Sequence, residues 1–252
     1  MCPLFRSRAP QVQLNEPAPT VFPKIEGADI AAVFAGNRIA GDFYDSVRVS
    51  PERVLFGLLD VAGRREETRN LLNKAQEIFR TAGSELFSGP DINESDAMTH
   101  LSIQINRGLI EASHGVHSCP AFIGCYHEKF GTLCYTNAGH TPGLLRDDSG
   151  VSEIRSTGLP LGLFSHATQD SPTVGVAKNA ALVLVSRGVV ECSARGQSNH
   201  EFGLEGIKQV LLSTPPTDAK SLCTSILNAA DEFSCKTPLI DDRTALALVR
   251  TG

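Results

Sequence analysis

Apolar positions along the chain fall into two kinds of run. The first kind is short and nearly continuous: residues 29–34 (DIAAVF), 53–60 (RVLFGLLD), 121–127 (AFIGCYH), 132–136 (TLCYT), 143–146 (GLLR), 180–186 (AALVLVS) and 245–249 (ALALV). Runs this short, bounded by turn residues, predict strands buried on both faces. The second kind repeats at a spacing of three to four. Leu71, Leu72, Ala75, Ile78, Phe79 and Ala82 do so within 66–82. Met98, Leu101, Ile105 and Leu109 do so within 94–112, and Ala219, Leu222, Ile226, Ala230 and Phe233 within 218–233. These stripes predict amphipathic helices, each laying one face on a core. A shorter helix over 204–212 follows a Phe-Gly turn. Strands, two long helices, a run of strands, two helices and a last strand do not suit an alternating βαβ fold. They suit an α+β arrangement of antiparallel sheets covered by helix pairs.

Residues 1–23 stand apart. They hold Pro3, Pro10, Pro17, Pro19 and Pro23 and show no apolar period, so they are expected to form a flexible arm, with one domain over 24–252. The 252 residues suffice for a sizeable core. A net charge of −5 and the lack of any Lys/Arg-rich run argue against a nucleic-acid partner. No apolar run approaches the roughly 20 residues that span a bilayer, and MCPLFRSRAP at the start has no hydrophobic signal segment. A cytoplasmic protein with no membrane partner is expected. The seven cysteines are an odd number without a CxxC pair, and several that sit inside apolar stretches, such as Cys125 and Cys134, read as small buried hydrophobes in a reducing compartment.

The candidate chemistry lies in carboxylates beside apolar strands. Asp42 and Asp45 sit in AGDFYD, Asp60 closes VLFGLLD, and Asp241 and Asp242 precede the last strand. Acids converging at strand mouths make an oxygen-rich site for a hard cation such as Mg²⁺ or Mn²⁺. Asp at a strand end equally serves turns, and spacing alone leaves the two readings level.

Seven motifs in order carry the reading further. AGDFYD (40–45) resembles GGDFYD, and DVAGRR (60–65) resembles DVSGHG. TNAGHTPGLL (136–145) is similar to an NAGH-x-P-x-LL hairpin, and GLPLGL (158–163) to a G-x-PLG turn. SRGVVE (186–191) stands where TDG-x-x-E is expected. Phe202-Gly203 and DDRT (241–244) match closing FG and DD-x-T motifs. Together they resemble the PPM family of metal-dependent (type 2C) serine/threonine phosphatases, in its bacterial SpoIIE-like branch, over about 25–252. The resemblance implies a four-layer α/β/β/α sandwich. It also implies hydrolysis of phosphoserine or phosphothreonine on an anti-sigma-antagonist type of regulatory protein, in partner-switching signalling. The cofactors implied are Mn²⁺ or Mg²⁺, one or two ions, acting through metal-bound water.

Carried over by motif, Asp42 and Asp60 are metal ligands, with the Val61 carbonyl completing the first ion's shell. Asp241 is a ligand of the second ion, and Asp242 an outer partner. The family's fourth acid is replaced by Arg187. A guanidinium stays charged and repels a divalent cation at close range by several kcal/mol, although it can grip a phosphate bidentately. Arg64 and Arg65 replace His-Gly, either as part of a basic rim or as the exposed start of a helix. His140 is read as shaping a turn, and His114, His117, His127, His166 and His200 as surface or packing residues. Two readings stand: a phosphatase with reduced or single-metal activity, with Arg187 on the phosphate, and a pseudophosphatase that binds a phosphoprotein or anionic partner without turnover.

Overall fold

The computed structural model describes residues 16–36, 41–61, 63, 65–115, 117–167, 169–194, 197–215, 217–235 and 241–252. Strand β1 (Ala28–Ala35) is followed by β2 (Gly41–Ser50), β3 (Arg53–Val61) and helices α1 (Arg65–Phe87) and α2 (Glu94–Ser113). Next come β4 (Ala121–His127), β5 (Thr132–Ala138), β6 (Gly143–Asp147), β7 (Gly150–Ile154), β8 (Thr173–Gly175) and β9 (Ala181–Val185). The chain continues through α3 (Arg187–Val190), β10 (Ser193–Ala194), β11 (Gln197–Glu201), α4 (Gly203–Ser213), α5 (Ala219–Phe233) and β12 (Arg243–Arg250). Among the described residues these form two five-stranded antiparallel sheets, in the orders β2-β3-β4-β5-β8 and β1-β12-β9-β6-β7, and a small β10-β11 ribbon.

Alternation along each strand builds three apolar layers. Leu55 and Leu59 of β3 face α1 and α2, against Leu72, Phe79, Met98 and Leu101. Val54, Phe56 and Leu58 face the second sheet, against Leu246 and Leu248 of β12. The other side of β12, Ala245, Ala247 and Val249, packs on Ile207, Leu222 and Ile226 of α4 and α5. Each sheet therefore lies between a helix pair and the other sheet, which is why all seven residues of β4 are buried and read as an unbroken apolar run. The expected four-layer α/β/β/α sandwich is the observed fold.

Local signals set the helix ends. Asn93 caps α2 by accepting from the Ser95 and Asp96 N–H groups, and Asp218 caps α5 through Ser221 N–H. Asp29 of β1 also accepts from Ala219 N–H at 2.8 Å, tying α5 to its sheet. The helix expected over 66–82 runs on to Phe87.

Of the arm expected over 1–23, residues 1–15 lie outside the described residues. Residues 16–22 lie along β2 and α1. Gln76 exchanges two hydrogen bonds with Ala18, Thr20 Oγ1 donates to the Tyr44 carbonyl at 2.8 Å, and Phe22 stacks on Tyr44. No described helix is long and apolar enough to cross a membrane.

Candidate active site

The site grows from one feature of register. In the β2–β3 ladder Asp42 lies directly opposite Asp60, and both share the face that carries Tyr44, Phe56 and Leu58 toward the second sheet. Thr244 is the second residue of β12 on the facing sheet, and its Oγ1 donates to Asp42 Oδ2 at 2.7 Å. Ser186, just past β9, donates its backbone N–H to the Thr244 carbonyl and accepts the Thr244 N–H at its side chain. The next residue, Arg187, donates its backbone N–H to Asp60 Oδ2 at 3.0 Å. Both sheets thus meet at one end over two carboxylates. Gly41 allows the ladder to close there, since a Cβ at this position would sit 2.3 Å from the Val61 carbonyl oxygen.

The electrostatics follow from burial. The Asp42 carboxyl is pushed up from an ordinary 3.8 to about 7, first by desolvation and then by the Asp60 charge, against hydrogen bonds from Ser186 and Thr244. Asp241 is also held above its ordinary value, mainly by burial and in part by Asp60, although Arg187 pulls it down. Asp241 Oδ1 accepts the Asp242 N–H at 2.9 Å, and its Oδ2 lies 3.7 Å from the Arg187 guanidinium. Arg187 also reaches Glu191 at 3.8 Å. Gly188 lets α3 press against this corner: a Cβ there would lie 2.1 Å from the Asp242 carbonyl oxygen.

Asp42, Asp60, Arg187 and Asp241 therefore come together; Val61 follows Asp60 in the chain, and its carbonyl lies against Gly41. Asp45 does not. Expected with Asp42 at a strand mouth, it lies three residues along β2 on the opposite face, under α1. There it accepts from Arg80 Nε at 2.7 Å and Nη2 at 2.9 Å, and from Gln76 at 3.2 Å. Arg64 lies outside the described residues. Arg65 opens α1.

His140 shapes its turn only in part. Its N–H donates to Asn137 Oδ1, and its Nδ1 lies 3.1 Å from the Thr141 carbonyl. Among the described residues its buried Nε2 meets no hydrogen-bond partner, and burial holds the ring below its ordinary value. Of the other histidines, His127 is buried against Phe130 and His200 packs edge-on to Phe233. Residue spacing did not single out Thr244 or Ser186. The only signal for Thr244 was its place in DDRT.

Whether these residues suit a divalent cation divides in two. Asp42, Asp60 and the Val61 carbonyl offer a hard cation two carboxylates and one carbonyl, enough for an ion that keeps several waters. Around Asp241 the Arg187 side chain stands where a second ion's carboxylate is needed. Among the described residues no group of three or more His, Cys, Asp or Glu side chains is arranged to hold a metal. Two carboxylates, Asp42 and Asp60, are available to one ion, and the third, Asp241, is paired with the Arg187 guanidinium.

Known proteins align with this arrangement. The family model of Stage II sporulation protein E (SpoIIE) matches residues 50–251. A curated relative, phosphoserine phosphatase RsbP of Bacillus subtilis (strain 168), is 25% identical over 162 residues, which make up 64% of this chain but 39% of the relative. The solved RsbU and RsbW domains of Rv1364c from Mycobacterium tuberculosis superpose with a TM-score of 0.72 at 22% identity, over 92% of this chain and 63% of that one. The SiaA-PP2C domain of Pseudomonas aeruginosa gives 0.71 at 16% identity, over 88% and 86%. With four-fifths of its length matched by the family model and the two-sheet fold shared with these domains, the chain belongs to the SpoIIE family of PP2C-type phosphatase domains.

Proposed function

We propose that the protein hydrolyses phosphoserine or phosphothreonine on a cytoplasmic regulatory protein of the partner-switching type, using one Mn²⁺ or Mg²⁺ held by Asp42, Asp60 and the Val61 carbonyl. The observation that carries this reading is the Asp42–Asp60 pair, Asp42 buried and Asp60 half-buried, in which burial and then the Asp60 charge push Asp42 to about 7. Two carboxylates held opposite each other, one of them buried, are destabilising on their own and become favourable when a cation joins them.

When bound, such an ion lowers the pKa of a water and draws in phosphate oxygens. The chain's own groups prepare the site for this. Thr244 and Ser186 fix Asp42, and the Arg187 N–H fixes one oxygen of Asp60. The Arg187 side chain is half exposed, and its guanidinium would meet a phosphate bidentately. The name phosphoserine phosphatase, borne by RsbP, supports the substrate class.

Calorimetric titration of Mn²⁺ tests the reading, with Asp60→Asn as control. One site, lost in the control, together with hydrolysis of p-nitrophenyl phosphate, is expected. No binding at millimolar Mn²⁺ overturns it. The ion pair between Arg187 and Asp241 favours a second reading, a pseudophosphatase that binds a phosphoprotein without turnover. Arg187→Asp separates the two: Mn²⁺-dependent turnover that appears only in the variant assigns the natural chain to the second reading.

A further inference from the structure

The phosphatase reading leaves the turn at 158–164 (GLPLGLF) without a task. Among the described residues six large apolar side chains are exposed, and three of them stand in this one turn: Leu159 at 53%, Leu163 at 37% and Phe164 at 51%. The backbone beneath them is held fast. Leu161, itself buried, exchanges two backbone hydrogen bonds with Cys119, at 2.8 and 3.1 Å. Asn106, buried on α2, accepts the Gly162 N–H at 2.8 Å and donates to the Phe164 carbonyl at 2.9 Å. Gln169 donates to the Leu159 carbonyl at 2.7 Å. Pro160 packs on Gly139, where an added Cβ would lie 2.5 Å from its ring. The inner residues of the turn are engaged by the fold, and three apolar side chains are left exposed on a fixed support.

The same bonds place the turn beside the site. Asp60 donates its backbone N–H to the Pro120 carbonyl at 2.9 Å, and the preceding residue, Cys119, is the one that pairs with Leu161. Two strand spacings of about 4.8 Å therefore separate Asp60 from the turn, about 10 Å in all. A free phosphoserine bound at Asp60 is too small to touch it. A protein is not: an interface of standard size covers about 800 Å² of each partner, a disc of about 16 Å radius, and such a disc centred on the phosphate includes the turn. Residues 156–165 carry no charge, so the turn offers a partner apolar contact and no ion pair. Exposed apolar side chains gathered in one place mark a surface that another molecule covers.

We propose that Leu159, Leu163 and Phe164 form a docking surface for the phosphoprotein substrate, which meets it with apolar side chains standing about 10 Å from the phosphorylated serine or threonine. The proposal rests on the phosphoprotein reading of the site and deepens it, by separating where the substrate is held from where it reacts.

The test uses the full chain with Mn²⁺ and short peptides that carry a non-hydrolysable difluoromethylene phosphonate in place of phosphoserine. An extended peptide covers about 10 Å in three residues, so a Leu-Leu, Gly-Gly or Asp-Asp pair is placed at the third and fourth residues from the phosphonate, on one side or the other. Dissociation constants are read by calorimetry, so the test does not depend on turnover, and the free amino-acid phosphonate serves as the flankless control. On one side the Leu pair is expected to bind about 10-fold tighter than the Gly pair, from partial burial of two leucine side chains, and the Asp pair no tighter than Gly. Leu163→Ser combined with Phe164→Ser is expected to bring the Leu and Gly peptides within twofold of each other while the free phosphonate binds as before. Both side chains are exposed, so thermal melts of this double variant are expected to match the natural chain. Leu212→Ser, at an exposed apolar position on α4, is expected to leave the Leu preference intact. If the free phosphonate binds and neither side shows a Leu preference, the docking surface is wrong and the phosphoprotein reading stands. The same follows if the preference survives the double variant. It follows too if sedimentation shows a dimer of the natural chain that the double variant dissolves, since a second copy then covers the turn. If no phosphonate binds at all, both readings fall.

Discussion

Replacing Asp42 with Asn removes a charge from the most buried part of the site while leaving an oxygen to accept from Thr244. The consequence can be worked from the carboxyl's displacement. The ordinary value is 3.8 and the folded value about 7, so at about 1.4 kcal/mol per pH unit the ionised form is penalised in the fold by roughly 4 kcal/mol. The sign follows from proton counting. Between 3.8 and about 7 the folded chain binds a proton that the unfolded chain has released, so folding stability falls as pH rises through that window. It is fully present below 3.8 and lost above 7. Without metal, D42N therefore matches the natural chain near pH 4 and exceeds it by about 2–4 kcal/mol at pH 8, the lower figure allowing for solvation at the mouth of the site. Thermal melts at half-unit pH steps from 5 to 8 read the difference directly. Saturating Mn²⁺ should reverse the order, because only the natural chain has the full ligand pair, and its affinity should rise with pH up to about 7 as the proton on Asp42 is displaced. Parallel melting curves across the whole range, or a D42N protein less stable at pH 8 without metal, would refute the argument that Asp42 is a strained anion.

Three further expectations come from the surrounding packing. Gly188→Ala drives a methyl group to within 2.1 Å of the Asp242 carbonyl oxygen, so the corner must move; a loss of about 2 kcal/mol in urea unfolding and weaker Mn²⁺ binding are expected. Asp45→Ala strips Arg80, Gln76 and Thr20 of a shared buried acceptor and is expected to lower urea-unfolding stability by about 3 kcal/mol, while Mn²⁺ affinity changes less than twofold. His140 Nδ1 faces the Thr141 carbonyl and a Thr141 hydroxyl whose proton goes to the Val185 carbonyl, so ¹⁵N NMR of the ring is expected to show hydrogen on Nδ1; hydrogen on Nε2 contradicts that network.

The strands and helices that the apolar pattern marked are those whose side chains bury themselves by repetition. β3, β4, β9 and β12 are central, with apolar residues on both faces, so their runs stand out. β2 was hidden although its face toward the helices does alternate, as Phe43, Asp45, Val47 and Val49. The second of these is a carboxylate, buried because Arg80 and Gln76 satisfy it from α1, and no pattern of hydrophobicity registers a polar residue neutralised from another element. β7 and β8 are polar edge strands and left no run either. Asp42 and Asp60 were legible from their motifs. That they face each other across a ladder depends on register, and that Asp45 turns away follows from an odd spacing of three within a strand that had not been recognised. Thr244 and Ser186 reach Asp42 from the facing sheet, Thr244 from 202 residues away in the chain, and only the folded sandwich brings them to it.

The weight of Arg187 can now be judged from its surroundings instead of its charge alone. The like-charge penalty expected for it, several kcal/mol, assumes a guanidinium confined beside the cation. The side chain is not confined: it is 49% exposed, and its partners Asp241 and Glu191 are 35% and 56% exposed. Ion pairs at such exposure contribute about 0–1 kcal/mol. Asp241 itself gives the same answer, since burial raises its carboxyl in spite of the guanidinium 3.7 Å away. A pairing that weak does not hold a site shut against a divalent cation, and the arginine is free to swing toward solvent or toward a phosphate. Its backbone N–H stays on Asp60 whatever the side chain is. The departure from the family therefore acts chiefly by subtraction, through the carboxylate that is missing at position 187. On the proposed reading a second ion lacks a ligand more than it is repelled, and Arg187→Asp is expected to add a second Mn²⁺ to the titration; a titration that still counts one ion contradicts it.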